Sequence, residues 1–195
     1  MPEFDKHSDR YIETLEQTIA FSGDEASYFA NYKAVQLSKI MDKNVSHKVL
    51  DFGCGVGSIS AAIHSNTPHW HINGFDVSEE SLAHVPDSLT KKGTFTADTR
   101  DLDDDHDLVF LAGVMHHISP AERTSALEVA ATRLKSGGIF VVFEHNPWNP
   151  VTRWVVDRCP FDENAILLTP PEIVSICKTI GLVKIKKGSD PELIS

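Results

Sequence analysis

Val49-Leu50-Asp51-Phe52 runs directly into Gly53-Cys54-Gly55-Val56-Gly57-Ser58. A short apolar strand, a glycine-built turn and the start of a helix follow one another. Glycine has no Cβ, so such a turn can take positive φ and bring its backbone against a ligand. Amides at a helix start then favour anionic or polar groups. A dinucleotide-binding turn spaces its glycines as G-x-G-x-x-G, but Ser58 stands where the third would fall. The spacing here is G-x-G-x-G, with Asp51 just before it.

The pattern around this turn is alternating. Helices are expected at 8–20 and 25–41, the second carrying Tyr28, Tyr32 and Val35 on one stripe. Strands are expected at Lys48–Phe52, His71–Phe75, Thr94–Thr96, Leu108–Leu111 and Ile139–Phe143. Between them, helices are expected from Ser58, over 78–85 with Ser78 as cap, and over 120–134 with Ser119 as cap. The best strands are continuous apolar runs, as in parallel sheets covered on both faces. The fold class is therefore α/β, doubly wound, with an N-terminal helical cap. We read a single domain over 1–195: cap 1–44, core 45–145, a lid-like loop 146–171, then a last helix and strand 172–195.

Asp76 ends the second strand, 23 residues after Gly53. In doubly wound folds an acid near this spacing bonds the ribose hydroxyls of a nucleotide. A carboxylate only accepts and a ribose diol offers two donors, so the two match. The alternative for Asp76 is a helix cap. Val77 beside it offers an apolar surface to an adenine.

The G-x-G-x-G loop preceded by Asp51 resembles the nucleotide-binding loop of class I S-adenosylmethionine-dependent methyltransferases. Thr96-Ala97-Asp98-Thr99, Asp107 to Ile118 with its Ala112-Gly113 turn and His116-His117-Ile118, and Leu134 to Val142 resemble later motifs of that family, in order. Glu144-His145-Asn146-Pro147 resembles a bacterial small-molecule subgroup. The resemblance implies a Rossmann-like fold, S-adenosylmethionine as cofactor with S-adenosylhomocysteine as product, no metal, and a small-molecule acceptor. The cofactor residues it implies, with the acid and apolar neighbour read above, are Asp51, Gly53, Cys54, Gly55, Gly57, Asp76, Val77, Asp98, Thr99, Ala112 and Gly113. For Asp98 that role is contact with the adenine amino group; the alternative is a solvated acidic loop.

Methyl transfer from a sulfonium needs chiefly positioning and exclusion of water. A hydroxyl acceptor also needs a base. The candidates beyond the strand ends are His116, His117, Glu144 and His145. Adjacent histidines point in different directions, so at most one of His116 and His117 is expected to face an acceptor. Neither that pair nor His69 and His71 has zinc-ligand spacing, and no metal is expected. Residues 144–171 carry five prolines and two tryptophans. This loop is expected to lid the acceptor pocket with Tyr28, Tyr32 and Trp148 as walls, or simply to cover the sheet edge.

Some classes are disfavoured. The formal net charge is −10, which repels nucleic acid. The three cysteines form no C-x-x-C pair. No apolar run reaches a membrane span and the N-terminus lacks a signal core, so a cytoplasmic location is expected. After a helix at 171–180 and a strand at Leu182–Ile185, no seventh strand is legible. The exposed edge makes a homodimer possible. The missing strand also leaves open a catalytically inactive cofactor-binding module, with an NAD-dependent oxidoreductase as a third reading.

Overall fold

A computed structural model of the chain describes residues 27–159 and 162–183, apart from the Val155 side chain. The helix expected at 8–20 lies outside the described residues. Two compact units divide the chain between Asp103 and Asp104.

In the first unit, helix α1 (27–40) buries Ala30, Ala34 and Leu37 at i, i+4, i+7 spacing. Two of these are alanines, which let a helix approach its neighbour closely. Tyr28, Tyr32 and Val35 are exposed at 64%, 47% and 41%, so the aromatic stripe lies off the packed face. Strand β1 (Lys48–Phe52), helix α2 (Ser58–Asn66) and strand β2 (His71–Phe75) follow as the pattern predicts. β1 pairs in parallel with β2, placing Asp51 beside Gly74 and Phe52 beside Phe75. Strand β3 (Phe95–Thr96) adds to the far side of β2, giving the order β3-β2-β1.

The helix expected over 78–85 is shorter, α3 (Glu79–Leu82), and a second short helix, α4 (Asp87–Thr90), follows beyond the expected range. Pro86 separates them, and the residue before a proline is driven out of the helical region. Ser78 does cap α3, accepting from Ser81 N–H. The chain then returns to β3 through Gly93, where a Cβ would stand 1.8 Å from the Ile72 carbonyl oxygen. Only glycine passes so close to a neighbouring backbone.

The second unit is built on strand β4 (His106–Ala112), parallel to strand β5 (Leu134–Phe143). Leu108 to Leu111 are fully buried. β5 begins earlier than expected, at Leu134, and carries an irregularity: His106 pairs with Leu134 but Leu108 with Ile139. The extra residues include Gly137, at φ 75°. Helix α5 spans Arg123–Thr132, shorter than the expected 120–134. Ser119 does not cap it; its hydroxyl donates to the Glu122 carboxylate, and Leu134 belongs to the strand. Helix α6 (Pro150–Val156) lies within the proline-rich loop, and helix α7 (Pro170–Thr179) opens on a capping box between Thr169 and Glu172. Leu182 and Val183 carry no strand, and the rest of the expected last strand lies outside the described residues. Both units thus show the α/β alternation with parallel strands read from the sequence. No helix among the described residues is long and apolar enough to cross a membrane.

Candidate active site

The first unit concentrates its polar chemistry beyond the carboxyl ends of its strands, where ligands bind in such sheets. Gly53, Gly55 and Gly57 have φ of 85°, 52° and 77°. The loop is closed onto β2: Gly53 and Cys54 both donate their N–H to the Phe75 carbonyl, at 2.7 and 2.9 Å. Gly57 occupies the cap position of α2 in the left-handed region, and a Cβ there would meet Val85 Cγ1 at 3.2 Å.

Asp76 is joined to this loop. Its Oδ2 accepts from Gly55 N–H at 2.7 Å and its Oδ1 from Ser78 N–H at 2.9 Å. The cap reading and the binding reading of Asp76 are thus compatible, since a carboxylate has about four lone-pair sites and these bonds use two. Asp51 lies beneath the loop, 2% exposed, and accepts from Ser60 Oγ at 2.7 Å. Burial, reinforced by the Asp76 charge, raises its carboxyl to about 7 despite the Ser60 bond. Cys54 is buried and its thiol is pushed up by the same desolvation, so it meets the site through its backbone. Val77 is 55% exposed, an apolar side chain left open beside Asp76.

A depression of about 580 Å³ opens beside these strands, lined by Phe75, Glu79, Thr96, Ala97, Asp98 and Thr99 among others. Asp98 caps a short 3-10 turn over Thr99–Asp101, accepting from Arg100 N–H, and its carboxylate also holds the Arg100 guanidinium. Those hydrogen bonds hold its carboxyl at about 2. The structure thus places Asp98 and Thr99 on a cavity wall with Asp98 ionised.

In the second unit, β4 ends at Ala112 and turns at Gly113 (φ 72°), whose N–H donates to the Phe143 carbonyl. A 3-10 turn over Met115–His117 follows. Glu144, next after β5, reaches into it: Oε1 accepts from Val114 N–H at 2.9 Å and Met115 N–H at 2.6 Å. Its Oε2 stands 2.6 Å from His116 Nδ1. His116 is 2% exposed. Its other nitrogen, Nε2, lies 3.3 Å from Asp162 Oδ1, and His117 Nε2 lies 3.5 Å from the same oxygen. Both adjacent histidines therefore turn toward one carboxylate, which sequence spacing did not predict. Burial alone would lower the His116 imidazole, but Asp162 and Glu144 outweigh it and raise it to about 9. His117 is pushed down to about 4 by burial and by the His116 charge. Both carboxylates are held low: burial opposes this, but the His116 contact prevails. The His145 ring lies 5.0 Å from that of His116. Trp148 is 62% exposed.

Two residues of this cluster carried no readable signal. Asp162 lies in a Cys-Pro-Phe-Asp run far from the histidines in sequence. Arg123 lies on α5 and, unlike most arginines, is buried, at 5% exposure. Its Nε donates to the Met115 and Ile118 carbonyls and its Nη2 to Ile166 at 2.5 Å.

Residues 50–140 match the family described as Methyltransferase domain. A curated relative, the carboxy-S-adenosyl-L-methionine synthase of Campylobacter fetus, is 30% identical over 128 residues, covering 60% of this chain and 53% of its own length. The chain thus spans about half of that relative. Among solved structures, an O-methyltransferase family protein from Burkholderia thailandensis superposes with TM-score 0.67 at 17% identity, covering 91% of this chain and 57% of that one. A magnesium protoporphyrin IX methyltransferase from Synechocystis, with bound SAH, gives 0.61 at 18%, covering 80% and 73%.

Proposed function

We propose that the chain is a class I S-adenosylmethionine-dependent methyltransferase, which binds S-adenosylmethionine and transfers its methyl group to a small-molecule acceptor; the methyltransferase-domain match over residues 50–140 and the shared Rossmann-like fold support this reading. The observation that carries the proposal is the bond from Gly55 N–H to Asp76 Oδ2. It holds the loop that would carry the methionine end and the acid that would carry the ribose in one arrangement. Asp98 and Thr99 would meet the adenine from the wall of the depression, and Val77 would cover its face. Ala112 and Gly113 complete the proposed cofactor set. The name of the Campylobacter relative contains the same adenosylated methionine, which favours that ligand over a nicotinamide dinucleotide.

Transfer is an in-line displacement at the sulfonium methyl: the acceptor atom forms the new bond as the bond to sulfur breaks, releasing S-adenosylhomocysteine. The donor is already activated, so the step needs no metal. Of the four base candidates, His116 and Glu144 hold each other and are buried. His145, half-buried after β5, is the group we assign to proton removal from a hydroxyl acceptor. Tyr28, Tyr32 and Trp148 are exposed aromatics that we assign to the acceptor side. The acidic chain is proposed to act in the cytoplasm, on small molecules rather than nucleic acid.

Calorimetry with S-adenosylhomocysteine and NAD in parallel tests this reading. Micromolar affinity for the first alone is expected. Binding of NAD alone, or of neither, overturns it.

A further inference from the structure

His116, His117 and Asp162 each present one ligand atom, and the three atoms lie within 4.8 Å of one another. We propose that they form a binding site for one divalent transition-metal cation of the zinc type, built into the second unit and separate from methyl transfer.

The distances carry the argument. His116 Nε2 and His117 Nε2 stand 3.3 and 3.5 Å from Asp162 Oδ1. Those are long for hydrogen bonds to a carboxylate, which run at about 2.7–2.9 Å when the donor is charged. They fit the edge of a tetrahedron around a cation whose bonds to nitrogen and oxygen are about 2.0–2.1 Å, an edge of about 3.3–3.4 Å. Two imidazoles and a carboxylate are also the donor set that first-row transition cations favour.

The support around the ligands points the same way. A ligating histidine usually donates its other ring N–H to a carboxylate or carbonyl, which fixes the ring and turns its free nitrogen to the metal. His116 has that partner in Glu144, at 2.6 Å from Nδ1. Glu144 is itself fixed by the Val114 and Met115 amides. Asp162 is anchored in turn, its N–H donating to the Cys159 carbonyl at 3.0 Å. The His117 side chain, 25% exposed, gives a path from solvent and leaves a fourth position for water. A cation held here ties the segment around Asp162 to the turn after β4, adding to the bonds that Ile166 N–H makes to the His116 carbonyl and Arg123 Nη2 makes to the Ile166 carbonyl.

The test uses the full chain, stripped with a chelator and dialysed, then titrated with Zn²⁺ alone and with Co²⁺ as a spectroscopic stand-in. The expected result is one Zn²⁺ per chain with micromolar or tighter affinity, and visible Co²⁺ bands of a four-coordinate site. Asp162→Asn, which keeps the side-chain volume, and His117→Ala should each weaken Zn²⁺ binding at least 100-fold, and Glu144→Gln about 10–100-fold. His71→Ala, at an exposed histidine that opens β2 in the first unit, should change nothing. Circular dichroism of each variant separates lost ligation from lost folding. Absence of saturable binding overturns the proposal, as does binding that survives in folded Asp162→Asn and His117→Ala. Neither outcome bears on S-adenosylhomocysteine affinity, so this proposal and the methyltransferase reading stand or fall apart.

Discussion

The Gly55 amide donates to Asp76 Oδ2 at 2.7 Å, so the acid at the end of β2 holds the loop at the end of β1. That bond lets one residue both shape the loop and face a ligand. Asp76→Ala removes the acceptor for two backbone amides and any ribose contact. Bonds to a charged acceptor contribute about 1.5–3 kcal/mol each. S-adenosylhomocysteine affinity should fall at least about 100-fold, with the α/β circular dichroism spectrum retained. Calorimetry on the folded variant checks this; affinity within a factor of three of wild type would remove Asp76 from the cofactor site.

Asp51 should make stability fall as pH rises. Its folded carboxyl is raised to about 7 by burial, against an unfolded value near 3.9. The folded state therefore holds a proton that the unfolded state has lost. The stabilisation is fully present below about pH 4 and disappears as pH rises through about 7. Asp51→Asn keeps an acceptor for Ser60 and does not titrate. Urea unfolding should show the variant gaining about 2–3 kcal/mol more over wild type at pH 8 than at pH 5. Parallel pH profiles would show that Asp51 ionises in the fold like an exposed acid.

Two glycines should fail by different routes. Gly57→Ala puts a Cβ at φ 77° and 3.2 Å from Val85 Cγ1. The left-handed region costs a side chain about 1–2 kcal/mol, and Val85 can shift. Gly93→Ala meets a backbone carbonyl at 1.8 Å, which cannot yield without moving β2. That variant should lose about 3 kcal/mol or more. Equal denaturation midpoints for the two would contradict the close approach at Gly93.

Arg123→Met should loosen the segment that returns to α7. The Ile118 and Ile166 carbonyls lose their Arg123 donor, while the Met115 carbonyl keeps the Ile118 N–H, and burying unpaired acceptors costs about 1–3 kcal/mol each before relaxation. A loss of about 2–4 kcal/mol is expected, with faster proteolytic cleavage between 159 and 168. Arg123→Lys should recover less than half, because one ammonium does not span the guanidinium's fork. Full recovery by lysine would show that charge alone matters there.

Local patterns were legible in the sequence because their causes are local. The apolar runs of β1, β2 and β4, the glycine loop and the Ser78 cap depend on residues within a few positions of one another. Asp76 was legible for the same reason: its distance from the loop is set by one helix and one strand. Boundaries failed where a neighbour decided them. The helix expected over 78–85 stopped at Leu82, ahead of Pro86, and pairing with His106 drew Leu134 out of α5 into β5. The tertiary structure alone decided how the second cluster is used. Asp162 meets His116 and His117 from more than forty residues away, and Glu144 from 28. No periodicity encodes such pairs, because they arise only when β4 and β5 pair and the following loop folds back onto their ends.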